Sequence, residues 1–199
     1  MHNRANQRQR GFTLLEVLIA FFILSVGLLG VVSLIGTSKL FQHQAVQRTR
    51  AVAIADTLIE RIRINPAAVA SYNIGFTPLG LVENRTEPSP NCSSDPCSSA
   101  ELALHDLWAW EKLLLGEATQ DQGQSAGGLI AATGCVVFIA DAPRTRTGQV
   151  SIVIQWRGLK ETIDALSAGD PVCGSNAAGS DNFRRQVTVN TYVVDETEF

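Results

Sequence analysis

From Phe12 to Ile35 the chain is apolar at almost every position and carries a single charge, Glu16, near the outer end of the run. At about 1.5 Å of rise per residue the run reaches roughly 36 Å as a helix, enough to cross a hydrocarbon core of about 30 Å with some tilt. Beyond Ile35 the pattern changes without breaking. Leu40, Ala51, Ile54, Ala55, Leu58 and Ile62 fall at three- and four-residue spacing, which predicts one helix from Thr13 to about Ile64. Asn65-Pro66 ends it, because proline disfavours helical geometry in the residue before it and cannot donate a hydrogen bond in the next turn. Such a helix is about 75 Å long, more than a small domain can bury. Residues 12–35 therefore belong in lipid or against copies of themselves, and residues 36–65 pack an apolar stripe on a sheet.

Polar residues fill the rest of that second half: Gln42, Gln44, Gln47, Arg48, Arg50, Asp56, Glu60, Arg61 and Arg63, read as a solvated surface. Pro66 to Ala100 is rich in Pro, Ser, Asn and Gly, has little periodicity, and reads as a long loop. Ser98 or Ser99 caps a short helix to about Leu115, its apolar face made by Leu102, Leu104, Leu107, Trp108, Trp110, Leu113 and Leu114. Trp108 and Trp110 are read as core or interface anchors. After a flexible stretch from Gly116 to Gly128, three strands follow. The first is Gly134 to Ala140. In the second, Val150, Ile152, Ile154 and Trp156 alternate with polar residues, and in the third, Gln186 to Val194, Val187, Val189 and Val193 do so. Thr145 to Gln149 is read as a turn, and Ala168 to Asn182 as a polar connection tied down by Cys173. The fold class expected is α+β, a long N-terminal helix on a small antiparallel sheet of three to four strands.

With 199 residues, the chain has room for one head domain, residues 66–199, beyond the helix halves 12–35 and 36–65. Formal net charge is −3, and −6 once Arg4, Arg8 and Arg10 are discounted. That balance, with no basic stripe, disfavours nucleic acid as a partner. Cys92, Cys97, Cys135 and Cys173 all follow the apolar run, where an oxidising compartment lets them pair. Four cysteines allow three connectivities, and spacing does not choose among them. The arrangement favoured closes a tight loop with Cys92 and Cys97 and ties the sheet with Cys135 and Cys173. A zinc site is disfavoured, because there is no second Cys-x-x-Cys element and no histidine near the four.

Residues 1–11 are short, polar and basic, with no acidic residue, and are read as a leader peptide. The apolar run is too long for a secretory signal core and lacks an Ala-x-Ala-like end, so ordinary secretory cleavage is not expected. The basic flank stays cytoplasmic by the positive-inside rule, which sends the chain beyond Ile35 to the other side. An ordinary signal anchor, with Glu16 a tolerated interfacial charge, is the plainer alternative. A carboxylate in such a segment costs roughly 2.5 to 3.5 kcal/mol near the bilayer centre, less near the interface, and invites a partner.

The stretch Gly11-Phe12-Thr13-Leu14-Leu15-Glu16-Val17-Leu18 resembles the type IV prepilins, whose leader ends in Gly before Phe-Thr-Leu-x-Glu and a hydrophobic helix. The resemblance implies a pilin-like fold and cleavage between Gly11 and Phe12 by a prepilin peptidase on the cytoplasmic face, with methylation of the new Phe12 amine. It also implies that Glu16 pairs with the amino terminus of a neighbouring subunit. Arg61-Ile62-Arg63-Ile64-Asn65-Pro66-Ala67, Asp106-Leu107-Trp108 and Ile152-Val153-Ile154-Gln155-Trp156-Arg157 resemble the PilV family of minor pilins, the type IV pilus modification proteins. That likeness implies an inner-membrane, single-pass protein with a periplasmic C-terminal domain, which then enters a pilus or its initiating complex. The implied partners are the prepilin peptidase, other minor pilins and the major pilin, the inner-membrane assembly machinery, and the bilayer before assembly.

No catalytic residue, metal or cofactor is expected. His2, His43 and His105 are scattered, and there is no phosphate loop, dinucleotide fingerprint or paired-carboxylate motif at recognisable spacing. Asp195 and Glu196 are read as solvated tail charges. Two alternatives keep the same anchor: a type II secretion pseudopilin, and an adhesive or DNA-capturing tip protein using the loops from Ser71 to Pro96.

Overall fold

The computed structural model describes residues 11–81, 85–117, 120–122, 124–125, 127–163, 166, 173–174 and 181–199. The expected leader, apart from Gly11, and most of the connection from Ala168 to Asn182 lie outside the described residues. Helix α1 runs from Leu14 to Ile64, as the periodicity predicts. Pro66–Ala68 form a single 3-10 turn, Val69–Tyr72 a short helix α2, and Gly75–Leu79 strand β1. Helix α3 spans Ser99–Leu115, strands β2 and β3 are the short pair Gln120–Asp121 and Gln124–Ser125, and β4, β5 and β6 are Thr133–Ala140, Gly148–Arg157 and Arg184–Val193.

The chain divides into two compact units, Met1–His43 and Gln44–Phe199. In the first, every described residue is exposed, apolar ones included. A helix apolar on all sides has no face for water, and this one is long and apolar enough to cross a membrane.

The second unit is an α+β domain. From Gln44 onward α1 buries Ala51, Ala55, Leu58, Ile59 and Ile62. This stripe, with Leu107, Trp110 and Leu114 of α3, packs on Val136, Val150, Ile152, Ile154, Trp156 and Val187 from one face of the sheet. Full burial of a Leu or Ile side chain contributes about 1.5–3 kcal/mol. Leu58 and Ile62, both at 0% exposure, thus anchor this part of α1 firmly. The sheet is antiparallel throughout, in the order β1-β4-β5-β6. On its other face Cys135 lies beside Val153 in register and buries it together with Cys173.

Three expectations need correction. Pro66 to Ala100 is not loop throughout, since it holds the 3-10 turn, α2 and β1. Pro78 and a register shift against β4 disguised that strand, only one of whose residues, Leu79, is buried. The stretch from Gly116 to Gly128 contains the paired β2 and β3. Finally, Leu104 faces solvent, and the inner side of α3 instead carries Ala103, His105, Asp106 and Glu111 beside its apolar residues.

Candidate functional site

Gly11 and Phe12 precede α1 without secondary structure, and Phe12 is 84% exposed. A side chain placed on Gly11 meets nothing within 4 Å among the described residues, so these supply no packing reason for glycine there. Thr13 caps the helix. Its Oγ1 accepts from the Glu16 backbone N–H at 3.3 Å, and Glu16 Oε2 accepts from the Thr13 backbone N–H at 3.4 Å. This is the reciprocal geometry of a capping box, and it places the carboxylate at the positive end of the helix dipole. Glu16 therefore has an intrachain role besides the intermolecular one expected of it. The Thr-x-x-Glu spacing of Thr13 and Glu16 was the signal for it. Glu16 remains exposed, and its Oε1 has no partner among the described residues.

In the domain, buried acids hold the elements together. Asp106 on α3 accepts from Arg61 of α1 at 2.6 Å and from the Tyr72 hydroxyl at 2.6 Å. Asn65, which ends α1, donates to the Tyr72 oxygen at 3.3 Å and to the Ser99 carbonyl at 2.7 Å. Burial, and then the hydrogen bond to Asp106, push the Tyr72 phenol well above its ordinary range. Glu111, 2% exposed, accepts from the Gly80 backbone N–H at 2.8 Å and pairs with Arg85 at 3.1 Å. His105 lies 3.1 Å from Glu87, and Trp108 donates to the Arg85 carbonyl at 2.9 Å. The chain around residues 85–87 is thereby strapped along α3. Helix α3 itself begins with a Ser98–Glu101 capping box and ends at Gly116, whose φ of 76° suits glycine.

Several polar residues of α1 and the tail are not the solvated charges expected. Gln47 is 4% exposed, and Arg61 is committed to Asp106. Asp195 is 3% exposed and pairs with Arg146 at 2.9 Å. Hydrogen bonds from the Thr197 hydroxyl and backbone N–H hold the Asp195 carboxyl below its usual range. Nearby, Glu198 Oε1 accepts from the Thr145 backbone N–H at 2.8 Å and the Arg146 backbone N–H at 2.9 Å. Burial opposes ionisation of Glu198, but these bonds, with those from the Thr147 and Thr145 side chains, outweigh it and bring its pKa down to about 2. The tail is clamped to the β4–β5 loop.

The four cysteines form two disulfides, Cys92–Cys97 and Cys135–Cys173. The first is half-buried and closes the loop just before α3, and the second is buried on the sheet's outer face. His43 lies on α1 among exposed residues, 62 positions from His105, whose imidazole is committed to the strap.

Residues 6–32 match the prokaryotic N-terminal methylation motif, and residues 41–108 match the family described as type IV pilin Tt1218. No curated protein and no solved structure matches the chain. The two matches support the prepilin superfamily, whose members are structural proteins, and with the apolar N-terminal helix they fit a membrane-anchored pilin.

Proposed function

We propose that this chain is a minor pilin of a type IV pilus, made as a precursor in the inner membrane with its disulfide-tied domain in the periplasm. The observation that carries the reading is the apolar, wholly exposed start of α1, beginning beside Gly11-Phe12 with one exposed carboxylate in its first turn. A prepilin peptidase cuts between Gly11 and Phe12, and the new amine at Phe12 is methylated. The helix stays in the bilayer until assembly, then exchanges lipid for the helices of other pilins. Glu16, costly in lipid, is neutralised by the amino terminus of a neighbouring subunit. Thr13 holds it meanwhile, through a bond long enough to give up.

The PilV-type reading draws support from the way its motifs meet. Arg61 of the first reaches Asp106 of the second, while Ile152, Ile154 and Trp156 of the third lie in the core those helices cover. The chain joins or primes the fibre and presents its head loops for contacts with other pilins or a surface.

Mass analysis of the chain from cells with active prepilin peptidase tests the reading. A methylated terminus at Phe12 is expected, and an intact Met1 terminus removes it. Fibres sheared from those cells should contain the chain. Recovery with secretion components alone, and never with pili, makes it a pseudopilin instead.

A further inference from the structure

We propose that the surface formed by the residues just after β5 and just before β6 docks on anionic phospholipid headgroups, holding the domain against the bilayer while α1 is still anchored there. The inference rests on the membrane-anchored stage of the pilin reading and adds to it a lipid contact for the head.

The strand ends build this surface. Past the paired residues Arg157 and Arg184 the two chains stay together, with the Gly158 backbone N–H on the Phe183 carbonyl at 2.7 Å and the Thr162 backbone N–H on the Asn182 carbonyl at 2.9 Å. The Arg157 guanidinium lies over the Phe183 ring, 4.5 Å from its centroid. Arg185 donates to the carbonyls of Asn182 and Arg184, at 3.1 and 2.8 Å, and to that of Lys160. Among the described residues, neither Arg157, Lys160 nor Arg185 meets a carboxylate, and Arg50, bound to the Gly127 carbonyl at 3.1 Å, adds a fourth such cation. Arginines elsewhere in the domain are neutralised: Arg61 by Asp106, Arg63 by Glu60, Arg144 by Asp141 and Arg146 by Asp195. On the acidic side stand the exposed Glu161 and Asp181, whose Oδ1 accepts from the Phe183 backbone N–H at 2.9 Å. Unneutralised cations gathered at one place in a chain of net charge −3 mark a site for an anion.

Apolar side chains choose among the anions. Leu159 and Ile163 stand among these cations at 50% and 91% exposure, and Ile130, whose carbonyl accepts from the Arg157 backbone N–H at 2.8 Å, is 41% exposed. A nucleic acid would satisfy the cations and leave these three in water. A lipid surface takes both, phosphates on the cations and apolar side chains at the headgroup–acyl boundary. The place in the domain agrees. Arg50 on Gly127 and Arg157 on Ile130 put the surface at the end where α1 enters, whereas Arg63 reaches Thr191 toward the other end of β6. Arg50 follows Ile35, the end of the apolar run, by 15 positions, at most about 22 Å of helix. Phe41 and Val46 are exposed along that stretch, so seating them in the interface, with ordinary helix tilt, brings the cations down to the headgroups.

The full-length chain reconstituted in nanodiscs tests this. Each sample carries one introduced cysteine bearing a fluorophore, which labels alone because all four native cysteines are in disulfides. The discs carry a nitroxide quencher on some of their headgroups. Thr162→Cys reports the docking surface, and Glu196→Cys reports the tail, which is clamped to the β4–β5 loop at the opposite end of β5. In discs of phosphatidylcholine mixed with phosphatidylglycerol, quenching at Thr162 should be about threefold that at Glu196, and it should fall to the Glu196 level in phosphatidylcholine alone or at high salt. Arg157→Glu with Lys160→Glu should abolish the difference in the mixed discs. Equal quenching at the two positions, or a Thr162 signal indifferent to phosphatidylglycerol or to the charge reversal, overturns the proposal. So does a DNA duplex that shifts the Thr162 fluorescence in phosphatidylcholine discs, since the cations then belong to nucleic acid. Lys39→Cys, just past the apolar run, reports the anchor itself. Quenching there without quenching at Thr162 sinks the docking surface and spares the pilin reading, whereas quenching at neither removes the membrane stage on which both rest.

Discussion

Arg61 Nη1 lies 2.6 Å from Asp106 Oδ1, a bond across 45 positions of sequence that locks the end of α1 to the middle of α3. Asp106 is 6% exposed and its other oxygen is taken by Tyr72, so the carboxylate is compensated only while both partners remain. Deleting this carboxylate leaves the buried Tyr72 hydroxyl and the partly exposed Arg61 without their acceptor, at a cost of about 1–3 kcal/mol for the buried donor. Asp106→Ala should lower the thermal midpoint of the full chain in detergent, followed by circular dichroism, far more than removal of the exposed Glu60–Arg63 pair. Similar effects from the two would show that Asp106 does not hold these helices together.

The same network makes a prediction about alkaline pH. The Tyr72 phenol has a raised pKa in the folded chain, so the native state holds its proton where an unfolded chain, near its ordinary value of about 10, gives it up. The contribution of Tyr72 to stability is therefore complete below pH 10 and drains away as pH rises toward the folded value. Tyr72→Phe should be less stable at neutral pH yet lose less on going from pH 9 to pH 11. Parallel stability curves for the two proteins would remove the linkage.

At the opposite end of the scale stands the tail clamp. Glu198 has a folded pKa of about 2, below its ordinary carboxylate value, so its contribution is present above pH 4.5 and is lost as pH falls toward 2. Asp195, also lowered, acts in the same direction. Glu198→Gln should flatten the acid limb of the stability curve and speed amide hydrogen exchange at Thr145 and Arg146, the two backbone donors it would hold less tightly. Exchange rates unchanged at both positions would mean that the clamp contributes nothing.

What sequence could show, and what it hid, follows from range. Gly11, Phe12, Thr13 and Glu16 lie together in the chain, so the N-terminal segment was legible from periodicity, one charge and a local motif. The helices α1 and α3 and the strands β4 to β6 were legible because each repeats its period several times. Strand β1 was not, since Pro78 interrupts it and only Leu79 of its residues is buried. The buried acids were hidden for a different reason. Asp106, Glu111 and Asp195 look like surface residues until Arg61, Gly80 and Arg146 are brought to them from 45, 31 and 49 positions away. Composition carries no trace of those pairings.

The two disulfides should differ in cost. Cys92 and Cys97 are 5 positions apart and Cys135 and Cys173 are 38 apart. Loop-closure entropy then assigns about 2 kcal/mol to the short link and about 4 kcal/mol to the long one. Cys135 also buries Val153, so its removal loses packing as well. The paired variant Cys135→Ser/Cys173→Ser should melt well below Cys92→Ser/Cys97→Ser. Under mild reductant the half-exposed short link should open first, read by mass shift after alkylation. The reverse order in either measurement would contradict the burial difference between the two links.

Gly134 on β4 faces Trp110 of α3 closely enough that a Cβ there would overlap the indole, with Trp110 Cζ3 and Leu114 Cδ1 each at 2.8 Å. Trp110 cannot easily withdraw: it is fully buried, and its Nε1 donates to the Ile54 carbonyl of α1 at 3.0 Å. Gly134→Ala must therefore push α3 off the sheet or break that bond, and overpacking of this kind costs about 1–3 kcal/mol. Trp110→Phe leaves room at the ring's outer edge but forfeits the hydrogen bond and part of the buried area. If the clash is the cause, the two changes are coupled: Gly134→Ala should cost much less in the Trp110→Phe background than alone, a non-additivity of about 1 kcal/mol or more in a double-mutant cycle. Strict additivity would place the role of Gly134 in the strand backbone rather than in its contact with the tryptophan.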